Sequence, residues 1–212
     1  MSLPNLELQR WKMVRDQLEK RGITSQSVLE AMGRVPRERF MPPELLDEAY
    51  ADRALSIDCG QTISQPYIVA LMTQALALTG GEKVLDVGTG SGYQAAILSL
   101  LAREVISIER HAELSEEAGE VLDELGCDNV RLVVGDGTLG YLAEAPYDRI
   151  IVAAAARQVP TALWDQLRDG GILVIPVGDA DAQMLEQITK TPPEPRVIHL
   201  APCRFVPLIG AE

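Results

Sequence analysis

A glycine-rich segment between an apolar strand and a helix constrains the fold more than any other part of this sequence. It reads Asp86-Val87-Gly88-Thr89-Gly90-Ser91-Gly92 and closes the apolar run that begins at Val84. Glycine lets a backbone turn sharply and approach a ligand closely, where a side chain would collide. The N–H groups at the start of the following helix are expected to be free to donate hydrogen bonds. The segment therefore predicts a strand-turn-helix junction that binds a small molecule.

The spacing of the glycines distinguishes two classes of cofactor. The dinucleotide pattern G-x-G-x-x-G would need a glycine at position 93, which is Tyr93. S-adenosylmethionine (SAM) therefore fits better than NAD, and the absence of a Tyr-x-x-x-Lys pair also disfavours a nicotinamide dehydrogenase. Asp86 supports SAM further, because a carboxylate before the first glycine can hold the cationic methionine end of SAM indirectly.

Beyond Gly80, apolar strands alternate with helical segments at the spacing of parallel crossover units. We predict strands at 83–87, 104–109, 130–134, 148–153 and 171–177, and helices at 91–102, 112–125, 138–143 and 160–168. Two more strands, Met184 to Lys190 and Val197 to Phe205, are expected to form a closing antiparallel hairpin. The fold class is therefore α/β, with a doubly wound, mostly parallel, seven-stranded Rossmann-like sheet over residues 81–212.

Residues 1–80 are predicted to be a mostly helical lead-in to this sheet, and residues 1–212 to form a single domain. Apolar spacing predicts helices at Leu6 to Lys20 and at Ser25 to Met32. Pro66 suits the first position of a third helix, which Ser64 or Gln65 would cap. Ser64 can act as an N-cap and also have a role in a binding site.

The ends of the predicted strands supply further candidate ligand contacts, because ligands of open α/β sheets lie beyond the carboxyl ends of the strands. Glu109 ends the second strand, where its carboxylate can accept both hydroxyls of a ribose. A pairing of Glu109 with Arg103 or Arg110 is the structural alternative. Asp136, in the turn before Gly137, can accept a hydrogen bond from the adenine amino group.

Composition excludes several classes of function. The net charge of −12 disfavours nucleic acid as a partner, and the basic stretch with Arg34, Arg37 and Arg39 is interpreted as a solvated or locally paired segment. Two histidines supply imidazole metal sites and Ser-His nucleophiles poorly, so no metal is expected. Apolar runs are too short for a membrane span. The first residues lack the pattern of an export signal, which predicts a cytoplasmic protein.

Several longer segments resemble one family. From about Leu18 to Leu208 the chain is similar to the protein-L-isoaspartate O-methyltransferases. Thr62-Ile63-Ser64-Gln65-Pro66 and Phe205-Val206-Pro207-Leu208 are typical of that family, whereas SAM-dependent enzymes in general share the glycine-rich segment. The stretches that carry the resemblance are Val35 to Phe40, Gln61 to Tyr67, the glycine-rich segment through Gln94, Gly135 to Gly137, and Arg204 to Leu208.

The resemblance implies that SAM is the cofactor and that S-adenosyl-L-homocysteine is its product. The methyl acceptors would be isoaspartyl residues of damaged proteins and peptides. Ser64 would be the catalytic hydroxyl beside the acceptor, Thr62 and Ile63 would shape the pocket, and Val206 would contribute backbone to the peptide groove. The matching cofactor positions are Gly88, Gly90, Gly92, Glu109, Asp136 and Gly137, and the segment that contains them adds Asp86, Thr89 and Ser91.

The chain departs from the family pattern at Asp58-Cys59, where bacterial relatives commonly have a small or amide residue, and at Ala153, where threonine is common. These changes affect the polarity of the pocket. The reaction itself requires no general base, because an isoaspartyl carboxylate, with a pKa near ~4, is already ionised at neutral pH. A site without histidine is therefore sufficient.

Two alternatives remain open at this point. A SAM-dependent enzyme that methylates a small molecule or RNA would use the same glycine-rich segment, Glu109 and Asp136. A non-catalytic SAM-binding protein would keep the fold without turnover. We expect a monomer that acts on neither nucleic acid nor membranes.

Overall fold

The computed structural model describes residues 5–210, so positions 1–4 and 211–212 of the predicted domain lie outside the described residues. The lead-in contains three α-helices, which are α1 (Leu6–Met13), α2 (Gln26–Arg34) and α3 (Pro66–Ala75). A π-helical segment, Val14–Leu18, and a 3₁₀ turn, Glu19–Arg21, continue α1 as far as Gly22. Gly22 has a φ of +93°, the left-handed conformation that ends a helix without strain.

Short irregular elements connect these helices. Two strands, β1 (Leu55–Ser56) and β2 (Thr62–Ile63), pair antiparallel as a separate ribbon. We call residues 55–64 the hairpin segment. The remaining 3₁₀ turns of the lead-in are Arg37–Phe40, Pro43–Glu48 and Asp58–Gly60. The prediction of a mostly helical lead-in is confirmed, except at this ribbon.

The rest of the described chain forms one seven-stranded sheet flanked by helices. Its strands are β3 (Lys83–Val87), β4 (Glu104–Glu109), β5 (Val130–Val134), β6 (Tyr147–Val152), β7 (Leu167–Gly178), β8 (Gln183–Thr189) and β9 (Arg196–Cys203). They lie in the order β5-β4-β3-β6-β7-β8-β9. Only β8 runs against its neighbours, so the sheet is mostly parallel with an antiparallel hairpin at one edge. The predicted fold class is confirmed.

Three helices connect the parallel strands, namely α4 (Tyr93–Ser99), α5 (Ala112–Glu124) and α6 (Thr161–Gln166). The prediction of a helix at 138–143 is wrong. Two separate 3₁₀ turns, Gly137–Leu139 and Leu142–Glu144, occupy that stretch. Gly140 lies between them with a φ of +61° and a ψ of −151°, far from helical values, so a continuous helix cannot form.

The core lies on both faces of the sheet, as expected for central parallel strands. Alternate residues of β3 point to opposite faces. Val84 packs with the α3 and α4 side, and Leu85 and Val87 pack with the α6 side. The side chain of Arg149 in β6 ties α3 to the sheet, because its Nε donates to the Leu76 carbonyl over 2.6 Å.

A buried arginine joins the lead-in to α4. The interpretation of Arg37 as a solvated residue is wrong, because its side chain is 0% exposed and its Nε donates to the Ala49 carbonyl over 2.9 Å. The guanidinium lies 5.1 Å from the ring centre of Tyr93, which in turn meets Phe40 edge to face. Burial lowers the pKa of Arg37 to about 10. Arg39 is paired, but not locally, since its ion-pair partner Glu124 lies 85 positions further along the chain.

Within residues 5–210, every helix is too short or too polar to cross a lipid bilayer. The assignment of residues 1–212 to a single domain stays a prediction.

Candidate active site

A cavity of about 320 Å³ opens beyond the carboxyl ends of β3, β4 and β6. β3 lies between β4 and β6 in the sheet. From β3 the chain continues to β4 and β5 on one side, and it then returns to the other side of β3 to form β6. The strand order therefore reverses at β3, which is where ligands of open α/β sheets bind. The hairpin segment and the chain after β9 complete the wall. The volume falls at the low end of the range for small-molecule sites, roughly 300–1,000 Å³.

The structure brings most of the predicted site residues together around this cavity. Its wall includes Thr62, Ile63, Ser64, Gly88, Thr89, Gly90, Ser91, Glu109, Gly137 and Val206. Three predicted residues, Asp86, Gly92 and Asp136, are not part of the cavity wall. Asp86 is 0% exposed, so it can act on a ligand only through the residues that it contacts.

The glycine loop (Gly88–Gly92) provides space for a ligand. Gly90 has a φ of +51°, and a Cβ built there would have no neighbour nearer than the Ile57 methyl carbon at 3.9 Å. Any side chain at this position would therefore project into the cavity. At Gly92 a Cβ would lie 3.0 Å from the Ala118 Cβ, so this glycine allows α5 to pack closely. The loop fits a cofactor that requires close backbone approach, as SAM does.

The expectation of free N–H groups at the start of the following helix is wrong at Gly92 and Tyr93, and the N–H of Gly90 in the loop is bonded as well. The Gly90 N–H donates to Glu109 Oε2 over 2.9 Å, and the Gly92 N–H donates to the Thr89 carbonyl over 2.9 Å. The Tyr93 N–H donates to the Ser91 hydroxyl over 3.4 Å. These bonds hold the loop in shape, so its contribution to binding is chiefly the space that it leaves open.

Glu109 connects two loops at the cavity. Besides the bond from Gly90, its Oε1 accepts from the N–H groups of Arg110 and His111 over 2.8 and 3.0 Å. The carboxylate is 5% exposed, and the alternative pairing with Arg103 or Arg110 side chains is not what positions it. A carboxylate offers about four acceptor sites, and three are occupied here. Oε2 keeps one site for a ribose hydroxyl, so acceptance of both hydroxyls would require a shared site on Oε1.

Asp86 lies at the centre of a buried polar chain. The Ser107 hydroxyl donates to Asp86 Oδ2 over 2.7 Å, so the Thr89 hydroxyl, 2.6 Å from Ser107, donates to Ser107 in turn. Asp86 Oδ1 is buried without a hydrogen-bond partner in the described structure. The pKa of Asp86 is raised to about 7, chiefly by burial and also by the charge of Glu109, while the Ser107 bond lowers it. Thr89 connects this carboxyl to the cavity wall, which fits an indirect role.

Asp136 begins the turn that follows β5. Its Oδ1 accepts from the Thr138 N–H over 2.8 Å and from the Thr138 hydroxyl over 2.6 Å. The neighbouring Gly137 is required by packing, because a Cβ there would lie 2.6 Å from a methyl carbon of Val87. The turn is therefore pressed against the end of β3. Contact of Asp136 with an adenine amino group stays a prediction.

The hairpin segment presents Ser64 to the cavity. Its turn is closed by the Ile57 N–H, which donates to the Gln61 carbonyl over 2.9 Å. The interpretation of Ser64 as a helix cap is wrong, because Gln65 occupies the N-cap of α3 and makes no side-chain cap bond. Within residues 5–210 the Ser64 hydroxyl makes no hydrogen bond, and it lines the cavity. It is free to bind an acceptor.

The chain after β9 lines another part of the cavity. The Val206 carbonyl accepts from the Ala155 N–H over 2.8 Å, and the Leu208 N–H donates to the Ala155 carbonyl over 2.7 Å. This pairing continues the sheet beyond β6. It fixes Val206 in the wall, and any main-chain contact with a peptide would come from its N–H or from the second lone pair of its carbonyl.

Sequence reasoning missed many cavity residues, among them two polar side chains. His111 and Gln94 both line the wall, and Gln94 is held by a 3.0 Å bond from its Nε2 to Thr73. His111 could have been found because it lies two residues after Glu109 and therefore at the same end of the sheet. Gln94 follows the glycine loop and is part of the family resemblance, but nothing in the residue pattern assigns it to the wall.

The chain matches the family model described as protein-L-isoaspartate(D-aspartate) O-methyltransferase (PCMT) over residues 9–212. Two similar relatives carry the name protein-L-isoaspartate O-methyltransferase. The one from Dictyoglomus turgidum is 53% identical over 214 residues, covering 99% of this chain and 97% of the relative. The one from Dictyoglomus thermophilum is 54% identical over 207 residues, covering 98% and 94%.

Solved structures agree with these relatives. A protein-L-isoaspartate O-methyltransferase superposes with a TM-score of 0.86 at 31% identity, over 95% of this chain and 66% of that chain. A beta-aspartate methyltransferase (PCMT) from Plasmodium falciparum, in complex with S-adenosyl-L-homocysteine, superposes with a TM-score of 0.82 at 27% identity. The superposition covers 94% of this chain and 98% of the Plasmodium falciparum chain.

Proposed function

This chain belongs to the protein-L-isoaspartate O-methyltransferase family, and we propose that it transfers the methyl group of SAM to the free carboxylate of L-isoaspartyl residues in damaged proteins and peptides. The observation that carries this proposal is the shared cavity. The glycine loop and Glu109 line the same cavity as Ser64 and Val206. A methyl donor and a peptide acceptor can therefore meet in one enclosed space.

The donor side of the cavity would hold the cofactor. SAM, when bound, supplies a methyl group on a sulfonium and leaves as S-adenosyl-L-homocysteine. Glu109 would bind the ribose, Gly88 to Ser91 would line the adjoining space, and Asp136 with Gly137 would border the adenine. Asp86 would balance the positive charge of the donor through Thr89 and Ser107, since its pKa of about 7 lets it ionise when a cation lies nearby.

The acceptor side would position the nucleophile. The unpartnered Ser64 hydroxyl would donate to one oxygen of the isoaspartyl carboxylate and leave the other oxygen to attack. Thr62 and Ile63 would border the side chain, and the Val206 backbone would bind the peptide. Reacting atoms need to be held about 3 Å apart and in line, and partial removal of water strengthens an anionic nucleophile. No base is required because the carboxylate is already ionised.

The expected product is a methyl ester, and the family resemblance implies that it closes to a succinimide whose hydrolysis restores some normal aspartate. The expectations of a cytoplasmic monomer, and of no action on nucleic acid or membranes, stay predictions. So does the assignment of each site residue to its role.

A methylation assay with matched acceptors tests the proposal. Tritiated SAM is offered with an isoaspartyl peptide, with the same peptide containing normal aspartate, and with bulk RNA. We expect base-labile label in the isoaspartyl peptide alone. Label in RNA would favour the alternative of an RNA methyltransferase. Calorimetric binding of SAM without label in any acceptor would support a non-catalytic SAM-binding protein.

A further inference from the structure

Three side chains that could bind a metal ion lie together at the cavity, and the proposed methyl transfer gives none of them a role. Cys59 comes from the 3₁₀ turn of the hairpin segment, and His111 and Glu113 come from the start of α5. One ligand atom of each residue, the thiol sulfur, a ring nitrogen and a carboxylate oxygen, lies within 4.8 Å of the other two. Cys59 is far from the other two in sequence, so only the fold brings it to them.

We propose that these residues form a binding site for a thiophilic divalent cation, best matched by Zn²⁺, and that the bound cation slows methyl transfer. A thiolate, an imidazole and a carboxylate are all ligands that zinc accepts, and a fourth position would be left for water. The thiolate selects such a cation over Mg²⁺ or Ca²⁺, which prefer oxygen ligands.

The distances require only a small adjustment. Tetrahedral zinc with bonds of about 2.0–2.3 Å sets neighbouring ligand atoms about 3.3–3.6 Å apart. The gap of at most 4.8 Å can close by side-chain rotation, because Cys59 and Glu113 are exposed and His111 is half-buried. The backbone of His111 is already fixed, since its N–H donates to Glu109.

The surroundings favour a cation at this point. Besides Glu113, the carboxylates of Asp58, Glu117 and Glu109 lie close enough to act on the Cys59 thiol. The whole chain carries a net charge of −12. Cys59 lies in a tight turn with a φ of +53°, and it is exposed. The other two cysteines, Cys127 and Cys203, are half-buried and belong to no such cluster within residues 5–210.

Occupancy of the site would connect the two sides of the cavity. His111 is part of the cavity wall, and Cys59 lies two residues before Gln61, which is also in the wall. A cation held by both would tie the hairpin segment to the start of α5. Gln61 and His111 line the same cavity as Ser64, so a cation that ties their two segments together would restrict the access of a peptide to Ser64. This second part of the inference rests on the proposed function, whereas the existence of the site does not.

Binding is measured first, on the whole protein with a non-thiol reductant. Co²⁺ replaces Zn²⁺ in such sites and gives a thiolate charge-transfer band, and Zn²⁺ should displace it with one equivalent. We expect Cys59→Ser to abolish the band and raise the Kd for Zn²⁺ by about 100-fold, and Glu113→Gln to raise the Kd by about 10-fold. Cys59→His keeps a ligand and should retain Zn²⁺ binding without the thiolate band.

Matched controls separate the cluster from other thiols and acids. Cys127→Ser and Glu120→Gln, the latter on the exposed surface of the same helix, should leave the Kd for Zn²⁺ unchanged. The site would be disproved if wild-type protein gave no thiolate band, or if Cys59→Ser bound Zn²⁺ as tightly as the wild type.

The effect on catalysis is measured in the isoaspartyl peptide assay. Zn²⁺, but not Mg²⁺, should lower the wild-type rate, and a chelator should restore it. Cys59→Ser should have the same basal rate of methylation as the wild type, and Zn²⁺ should not lower that rate. Equal inhibition of wild type and Cys59→Ser would overturn the proposed obstruction. Protein that shows the Co²⁺ band but methylates no acceptor would refute the proposed function and leave the metal site standing.

Discussion

The two sides of the cavity are built differently. On the donor side, Glu109 accepts three backbone N–H bonds and Asp86 accepts from Ser107, so the carboxylates are fixed before any ligand binds. On the acceptor side, Ser64 follows a ribbon of two-residue strands, and its hydroxyl has no partner in the described structure. The donor side is formed by residues at the ends of the central strands β3 and β4, whereas the acceptor side includes a short ribbon that is separate from the seven-stranded sheet.

The difference matches what each side is proposed to bind. One cofactor of constant shape is served by a preorganised site, because little ordering remains to be done on binding. Damaged proteins present an isoaspartyl residue in many local sequences, so a less constrained acceptor segment suits them. If this comparison is right, changes on the donor side should reduce SAM affinity, and changes on the acceptor side should reduce turnover.

The largest effect is expected at the glycine loop. Gly90→Val should abolish measurable SAM binding in calorimetry, because the side chain would fill the space that the ligand occupies. Gly126→Val is the matched control, since Gly126 also has a positive φ, +68°, but a Cβ there would meet no atom within 4 Å and the residue lies outside the cavity wall. Both variants carry backbone strain, so only the loss of binding should distinguish them. Retained SAM binding in Gly90→Val would contradict the cofactor assignment.

A pH-dependent change in stability is expected at Asp86. Its pKa is about 7 in the folded protein and about 3.9 in an unfolded chain. As pH rises, the carboxyl therefore loses its proton at a lower pH in the unfolded chain than in the folded protein. The free energy of unfolding of the wild type should fall between about pH 4 and pH 7, by on the order of 4 kcal/mol. Asp86→Asn should lack this loss, so its advantage in free energy of unfolding should be larger at pH 8 than at pH 5.

Urea unfolding at both pH values measures this effect. Asp165→Asn, at an exposed position of α6, serves as the control and should change neither value. Asp86→Asn should also weaken SAM binding, which would show that the donor side keeps a destabilising carboxyl for its function. Identical pH profiles for Asp86→Asn and the wild type would argue against a buried titrating carboxyl.

Glu109→Gln should raise the Kd for SAM by about 10- to 100-fold, with little change in the turnover of enzyme saturated with SAM. The amide nitrogen would face at least one of the three N–H donors that now bind the carboxylate, and hydrogen bonds to a charged group are worth about 1.5–3 kcal/mol. Glu104→Gln, at the opposite end of β4, should leave the Kd unchanged. A loss of turnover in Glu109→Gln without a loss of SAM affinity would contradict the assignment of Glu109 to the donor side.

The smallest effect is expected on the acceptor side. Ser64→Ala should lower kcat on an isoaspartyl peptide about 10-fold and leave the Kd for SAM nearly unchanged, because one hydrogen bond to a charged group, worth about 1.5 kcal/mol, is removed. Ser56→Ala, at an exposed position of the same ribbon, is the control. Steady-state kinetics with unaltered turnover would remove Ser64 from the mechanism.

Local patterns predicted the sheet well. The bounds of β3, β4 and β5 follow from runs of mostly apolar residues, and burial on both faces makes the runs in β3 and β4 nearly continuous. The helix expected at 138–143 failed, because the backbone of Gly140 takes a conformation that no helical spacing of apolar residues reveals. The prediction that Arg37 is solvated was wrong for a different reason. Its guanidinium is buried against the ring of Tyr93 and donates to the carbonyl of Ala49, and both contacts come from segments that are distant in the sequence.

The sequence by itself determined the order of strands and helices, the glycine loop and the identity of the residues at the strand ends, because these depend on neighbours along the chain. Only the tertiary structure decided that Asp86 is not part of the cavity wall and that backbone N–H groups occupy most of the acceptor sites of Glu109. It also decided that Cys59 lies close to His111. Burial and contacts between distant segments depend on how the hairpin segment and the chain after β9 close over the sheet, and no local pattern encodes those distances.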